Sequence, residues 1–246
     1  MSRTLKLVVE YDGSHFSGWQ RQPAQRTVQG SLEEALAVVL REPVQVRGSG
    51  RTDAGVHAWA QVASLRTGSD ATHERIRRGV NALAGDGVRV VSVEDAADDF
   101  DALRSARGKV YAYQVLARRS PSPLFEGRAW WVRHRLDLDR LERELATLPA
   151  EADWSAYRAS DCGSPHPVKT LRRAELRHER ADVFSMVFEG SGFLKNMVRI
   201  LAGTAIDVAR GHLPEGAMVP IRDSLDRTRA GQTAPAHGLY MERVLY

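Results

Sequence analysis

The chain has 246 residues, with 35 lysines and arginines against 31 aspartates and glutamates, a formal charge of +4 and an isoelectric point near 9.4. That length allows one large domain or two ordinary ones with a buried core, and the modest basic excess suits an anionic partner such as nucleic acid. A single cysteine, Cys162, excludes an internal disulfide and a cysteine-based metal cluster, and it fits a reducing, cytoplasmic setting.

Only four of the 35 basic residues are lysine, and arginine suits RNA because its planar fork bonds phosphates in pairs and stacks on bases. The same bias also follows from genome base composition. Eight dispersed histidines show none of the paired spacings that hold zinc. The N-terminus runs straight into an alternating strand, and no apolar run approaches the ~18 residues of a membrane span. The expectation is a soluble, unprocessed chain with no membrane partner.

In chain order, Leu5, Leu7, Val9 and Tyr11 alternate on one face of a first strand. After a loop over 13–25, Thr27 is placed to cap a helix with Val28, Leu32, Ala35, Leu36 and Val39 on its apolar side. A short strand over 44–47 leads into a glycine-rich loop, and a strand over 61–66 leads out of it. Ile76, Val80 and Leu83 mark a second helix, and 88–93 a closing strand.

The order strand, helix, strand, strand, helix, strand is the ferredoxin-like pattern, whose helices cover one face of an antiparallel sheet. RNA-recognition domains share it, but their RNP1 aromatic pattern is absent here. The second half repeats the theme. Strands are expected at 109–116 and 130–132, then a helix capped by Asp137 with Leu138, Leu141, Leu145 and Leu148. Strands at 171–178 and 183–189 precede a long helix from Phe193 to Arg210, ended by Gly211. A last strand spans 238–245. The domain boundary falls in the Asp98–Arg107 region, which is poor in large apolar residues.

The loop Gly48-Ser-Gly-Arg-Thr-Asp-Ala-Gly-Val-His-Ala58 sets a carboxylate, Asp53, among glycines with a guanidinium two residues before it at Arg51. Glycines there permit positive φ and close approach to a ligand. The dinucleotide fingerprint fails, because its third glycine position is Asp53, and no Gly-Lys-Ser/Thr makes an ATP-type loop. By composition a catalytic loop and an Asx-type turn are equally good readings.

The stretch Gly50-Arg-Thr-Asp-Ala-Gly-Val-His-Ala58 is similar to the signature loop of the tRNA pseudouridine synthase A (TruA) family. The resemblance continues in family order through Tyr11-Asp-Gly13, Gly18-Trp-Gln-Arg-Gln22, Thr27-Val-Gln-Gly30, Lys109-Val-Tyr-Ala-Tyr113, Ser191-Gly-Phe-Leu-Lys-Asn-Met-Val-Arg199, Gly203-Thr204 and Ala234-Pro-Ala-His-Gly-Leu-Tyr240. It implies an α+β fold of two ferredoxin-like, RRM-like domains, 1–104 and 105–246, with antiparallel sheets meeting at a central catalytic cleft. It also implies isomerisation of uridine to pseudouridine at positions 38, 39 and 40 of the tRNA anticodon stem-loop, by a cytoplasmic homodimer that needs no cofactor or metal.

The reaction breaks the C1′–N1 bond, rotates the uracil and rejoins it through C5, so it needs one ionised carboxylate by the ribose and a water-poor pocket. The resemblance makes Asp53 the catalytic aspartate. Attack on C1′, attack on C6 and removal of the C2′ proton all stay open for it.

A carboxylate in a dry pocket protonates unless a cation stabilises it. Arg199, beside the stripe Leu194, Val198, Leu201, Ala205 and Val208, is the candidate partner. By periodicity alone it reads as a solvated helix-face arginine. Tyr111 reads by pattern as strand packing, while the resemblance places it over the target uracil; Tyr113 is then the core aromatic. Arg51 either fills the space left by a flipped-out uridine or contacts a phosphate. His57 reads as structural, and Gly190-Ser-Gly192 as a helix-opening phosphate site or a tight turn.

Two segments depart from the family pattern, Phe100-Asp-Ala-Leu103 and Ala152-Asp-Trp-Ser-Ala-Tyr157. Both lie outside the inferred chemistry, so what they put in question is RNA contact or loop packing. The rival functions are a non-catalytic tandem RNA-binding module and an Asp53-dependent nucleoside hydrolase.

Overall fold

The computed structural model describes residues 2–246. Two compact units divide them: one takes the chain up to Arg107 together with Met241–Tyr246, and the other spans Gly108–Tyr240.

The first unit runs β1 (Arg3–Tyr11), α1 (Val28–Leu40), β2 (Arg47–Gly48), β3 (His57–Thr67), α2 (His73–Leu83) and β4 (Val88–Ala96). That is the expected strand and helix order. β1 lies between β3 and β4 and is antiparallel to both, while β2 adds to β3. Leu5, Leu7, Val9 and Tyr11 are all buried, as their alternation requires. Thr27 accepts the Gly30 N–H and Thr72 the Arg75 N–H, so both helices start on side-chain caps, each worth about 1 kcal/mol.

Three details of this unit differ from the periodicity. The strand over 44–47 shrinks to Arg47–Gly48 because α1 takes the backbone of Val46: its N–H donates to Glu33 Oε1 and its carbonyl accepts from Gln29 Nε2. β3 begins at His57 instead of Gln61, so the glycine-rich loop is shorter than it looks. Leu83, assigned to the buried stripe of α2, is 53% exposed because the helix ends there.

The second unit runs β5 (Gly108–Ala117), β6 (Trp130–Val132), α3 (Leu138–Ala146), β7 (Ala150–Asp153), β8 (Val168–Arg180), β9 (Val183–Gly190), α4 (Met197–Ala209) and α5 (Met218–Asp223). Its strands lie in the order β5-β9-β8-β7, antiparallel throughout, with β6 parallel to β5. The final strand β10 (Leu239–Leu245) straddles the division between the units. Asp137 caps α3 by accepting the Arg140 N–H, and Leu141, Leu145 and Leu148 are fully buried.

β7 and α5 have no counterpart in the sequence pattern. β7 is four residues with no apolar alternation, and α5 is a six-residue helix with Pro220 in its first turn. α4 starts at Met197, not Phe193. Asn196 takes a left-handed conformation at φ 60°, and the Met197 N–H closes a turn onto the Leu194 carbonyl. The Gly190–Gly192 segment therefore ends β9 and does not open a helix, which removes the helix-terminus reading of that segment.

Candidate active site

Asp53 is half-buried on the loop joining β2 to β3, and the loop is fixed from beneath by its backbone. The Trp19 N–H donates to the Thr52 carbonyl at 3.0 Å, and the Val56 N–H returns to the Asp53 carbonyl at 3.1 Å. Thr52 Oγ1 shares a 2.8 Å hydrogen bond with the Tyr11 hydroxyl. Burial pushes the Tyr11 pKa up to about 12, so that phenol stays neutral. On the incoming side, the Gln61 amide donates to the Gly50 carbonyl and its oxygen accepts from Ser49 Oγ.

Gly18 presses directly against this loop. Its φ is +94°, and a Cβ there would stand 2.9 Å from the Thr52 carbonyl oxygen and 3.4 Å from the Asp53 carbonyl carbon. Trp19, next along, tilts its ring against Tyr11 at 6.0 Å. The segments Tyr11–Gly13 and Gly18–Gln22 are thus the bed on which the carboxylate sits. A simple Asx turn would not need such a bed.

Arg51 projects from the same loop, exposed, and its guanidinium makes no hydrogen bond or ion pair among the described residues. His57 is buried, and its Nδ1 accepts the Gly13 N–H at 3.1 Å.

The second unit carries Tyr111 and Arg199. Tyr111 lies on β5 and is 7% exposed, with its ring edge-on to Phe193 at 5.2 Å. Tyr113, two residues on, is fully buried, donates its hydroxyl to the Pro235 carbonyl at 2.8 Å and meets Trp130 edge-on. Tyr113 is therefore the packing aromatic of the pair.

Arg199 is not a solvated helix-face arginine. Its Nε donates to the Ala234 carbonyl at 2.8 Å and its Nη1 to Asn196 Oδ1 at 2.9 Å, while the Ala234 N–H donates back to the Arg199 carbonyl. The 230–234 strap that receives it lies hard against α4. A Cβ on Gly203 would overlap the Gln232 carbonyl, and the Gly231 N–H donates to Thr204 Oγ1. The Gly203-Thr204 pair thus lets the strap, whose Ala234 carbonyl takes the guanidinium, approach α4 closely. Arg199 also lies near His237, whose pKa burial lowers, with the Arg199 charge adding to the effect.

Asn196 and Ala234, which bond Arg199, and Phe193, which packs on Tyr111, are residues that periodicity did not single out. Their signal was only their place inside the family-like blocks. Among the described residues no group of three histidines, cysteines, aspartates or glutamates is placed to hold a metal ion. No helix is long and apolar enough to cross a membrane.

With this geometry established, known proteins supply the family. A model of the tRNA pseudouridine synthase family matches residues 7–102 and 150–246, well over half of the chain. The chain belongs to that family.

Its relatives include the tRNA pseudouridine synthase A of Myxococcus xanthus, 41% identical over 242 residues, covering 98% of this chain and 91% of that protein. The Pelobacter propionicus protein of the same name is 39% identical over 244 residues, covering 99% and 100%. That of Brucella ovis is 38% identical, covering 98% and 97%. The similarity runs end to end, so it includes both the Asp53 loop and the Arg199 strap.

Proposed function

We propose that this chain is a tRNA pseudouridine synthase acting on uridines 38, 39 and 40 of the anticodon stem-loop. The observation that carries the reading is a carboxylate, Asp53, on a loop pinned at Ser49, Gly50 and Thr52 by the elements around it, in a chain whose residues 7–102 and 150–246 match the family. The reaction exchanges the C1′–N1 bond for a C1′–C5 bond. It releases the C5 proton and leaves a proton on N1, with no net oxidation and no group imported. A positioned carboxylate and an enclosed site suffice for that balance.

In this reading Asp53 is the catalytic residue. Tyr111 lies against the target uracil, Arg51 enters the space the flipped nucleotide leaves, and Arg199 contacts the substrate from its strap. Flipping costs a few kcal/mol of stacking, which an exposed guanidinium without a protein partner is suited to offset. The enzyme works as a cytoplasmic homodimer.

The deciding experiment maps pseudouridine in tRNA treated with purified protein and no added cofactor. New pseudouridine at 38–40, lost by a thousandfold or more in Asp53→Asn, is the expected result. Substantial turnover by Asp53→Asn removes that residue from the chemistry, and release of free uracil makes the protein a hydrolase. Light scattering in solution checks the dimer.

A further inference from the structure

The chain has four lysines. Lys6 pairs with Glu94 and Lys195 with Asp161. The other two, Lys109 and Lys169, make no ion pair and no side-chain hydrogen bond among the described residues, and they lie close to each other. Lys109 is half-buried at the start of β5. Burial, and secondarily the charge of Lys169, hold its amine below the usual lysine range. Desolvating one ammonium beside another, with no acid to answer either, destabilises the fold unless an anion joins them.

The strand registers show where that anion would sit. Lys109 lies opposite Gly190 in the β5–β9 pair, and Leu171 lies opposite Gly190 in the β8–β9 pair. Lys169, two residues before Leu171, shares its face. The Gly190-Ser-Gly192 turn passes between the two lysines: the Cβ position of Gly192 is 3.9 Å from Lys169 Cδ. The turn is pinned by reciprocal bonds, the Ser191 N–H to the Thr170 carbonyl and the Thr170 N–H to Ser191 Oγ. Ser191 Oγ accepts, which leaves its own proton to donate.

We propose that Lys109, Lys169 and Ser191 form a phosphate subsite that grips the RNA backbone beside the base held by Tyr111. This rests on the tRNA reading above. Tyr111 follows Lys109 by two residues on the same face of β5, and its ring meets Phe193, the residue after Gly192. The step from i to i+2 along a strand is comparable to the span from a nucleotide's base to its phosphate. One strand thus presents an aromatic plane for the base and an ammonium for the phosphate of the same chain.

The test compares wild type with Lys109→Met, Lys109→Arg and Lys169→Met for binding to an anticodon stem-loop RNA across a salt series. Lys109→Met is expected to weaken binding roughly tenfold. It should also flatten the slope of log affinity against log salt by about 0.7–0.9, one phosphate contact, with a melting temperature equal to or above wild type. Lys109→Arg should retain most of the affinity. Unchanged affinity and slope in folded Lys109→Met, or a drop in melting temperature with binding intact, overturns the subsite and makes Lys109 a packing residue.

A second readout needs no variant. With lysines methylated with carbon-13, saturating RNA should move the Lys109 and Lys169 signals and leave those of Lys6 and Lys195 in place; the reverse pattern refutes the proposal. Inorganic phosphate added alone distinguishes the sources, since a site for free phosphate would shift the two signals as fully as RNA does. The subsite and the synthase reading fail separately. Wild type that forms no pseudouridine, yet loses RNA affinity through Lys109, sinks only the activity, whereas active wild type indifferent to Lys109 sinks only the subsite.

Discussion

Replacing Gly18 by alanine tests whether the bed under Asp53 sets the catalytic geometry. At φ +94° an alanine costs about 1–2 kcal/mol in backbone strain alone. Its Cβ would lie 2.9 Å from the Thr52 carbonyl oxygen, where an unstrained contact is roughly 3.5 Å, so the Asp53 loop must give way by about half an ångström. A misplacement of about 1 Å costs on the order of a hundredfold in rate, so this smaller shift predicts a tenfold to hundredfold fall in kcat. The strain should lower the melting temperature by roughly 2–8 °C for a chain of this size. tRNA affinity should hardly change, because Gly18 is buried beneath the loop. Tritium release from tRNA carrying 5-tritiated uridine, followed under single-turnover conditions, measures the step directly. A kcat within twofold of wild type in a variant whose melting temperature has fallen would refute the reasoning. The strain would then have been absorbed without moving the reacting group, or Asp53 would not be that group.

Tyr111→Phe should keep tRNA affinity and lose turnover if the hydroxyl assists removal of the C5 proton, while Tyr111→Leu should lose both; equal near-native rates in the two point to packing alone. Arg51→Ala should weaken tRNA binding and reduce its salt dependence, with the melting temperature unchanged because the side chain has no partner in the fold. Arg199→Lys keeps the charge but cannot span both the Ala234 carbonyl and Asn196 Oδ1, so the substrate contact is misaligned and turnover should fall steeply, with a smaller loss of tRNA affinity; near-native turnover would show that the charge alone suffices and that the two bonds do not matter. For Lys109 the folded-state pKa lies below its unfolded value of 10.5, so wild type gains stability as pH rises through that window. The stability advantage of Lys109→Met, measured by denaturant titration, should therefore be largest near neutral pH and vanish above about pH 10.5; an advantage that does not change with pH would exclude the charge as its cause.

How far the sequence could be read depended on what each residue's signal reports. The alternation in β1 and the capped periodic helices α1 and α3 were legible because burial and capping follow directly from local order. Arg199 was not. Its periodic position looks solvent-facing, but a strap 35 residues further on turns back to claim its Nε, and no local pattern encodes that return. β2 failed for a similar reason: side chains from α1, not a neighbouring strand, satisfied the backbone of Val46. Within the two departures from the family pattern, the aromatic side chains pack, while Leu103 is 49% exposed. Trp154 and Tyr157 are fully buried, with Tyr157 bonding the Met218 carbonyl, and Phe100 packs its ring on Tyr246 at 5.0 Å.

The family-like blocks have a common physical content once their contacts are known. Tyr11–Gly13 and Gly18–Gln22 donate and accept hydrogen bonds under Asp53 but contribute no group to the proposed chemistry. Gly203-Thr204 and Ala234-Pro235 do the same around Arg199 and Tyr113. A reaction that detaches and turns a base needs its carboxylate held still while the substrate moves, and it imports no cofactor to share that task. The burden then falls on backbone carbonyls and close glycine contacts, which tolerate few other residues. That is why most of the recognisable sequence in this chain lies beneath the proposed reacting groups, and why conservative changes such as Gly18→Ala should disturb catalysis more than changes to exposed polar residues nearby.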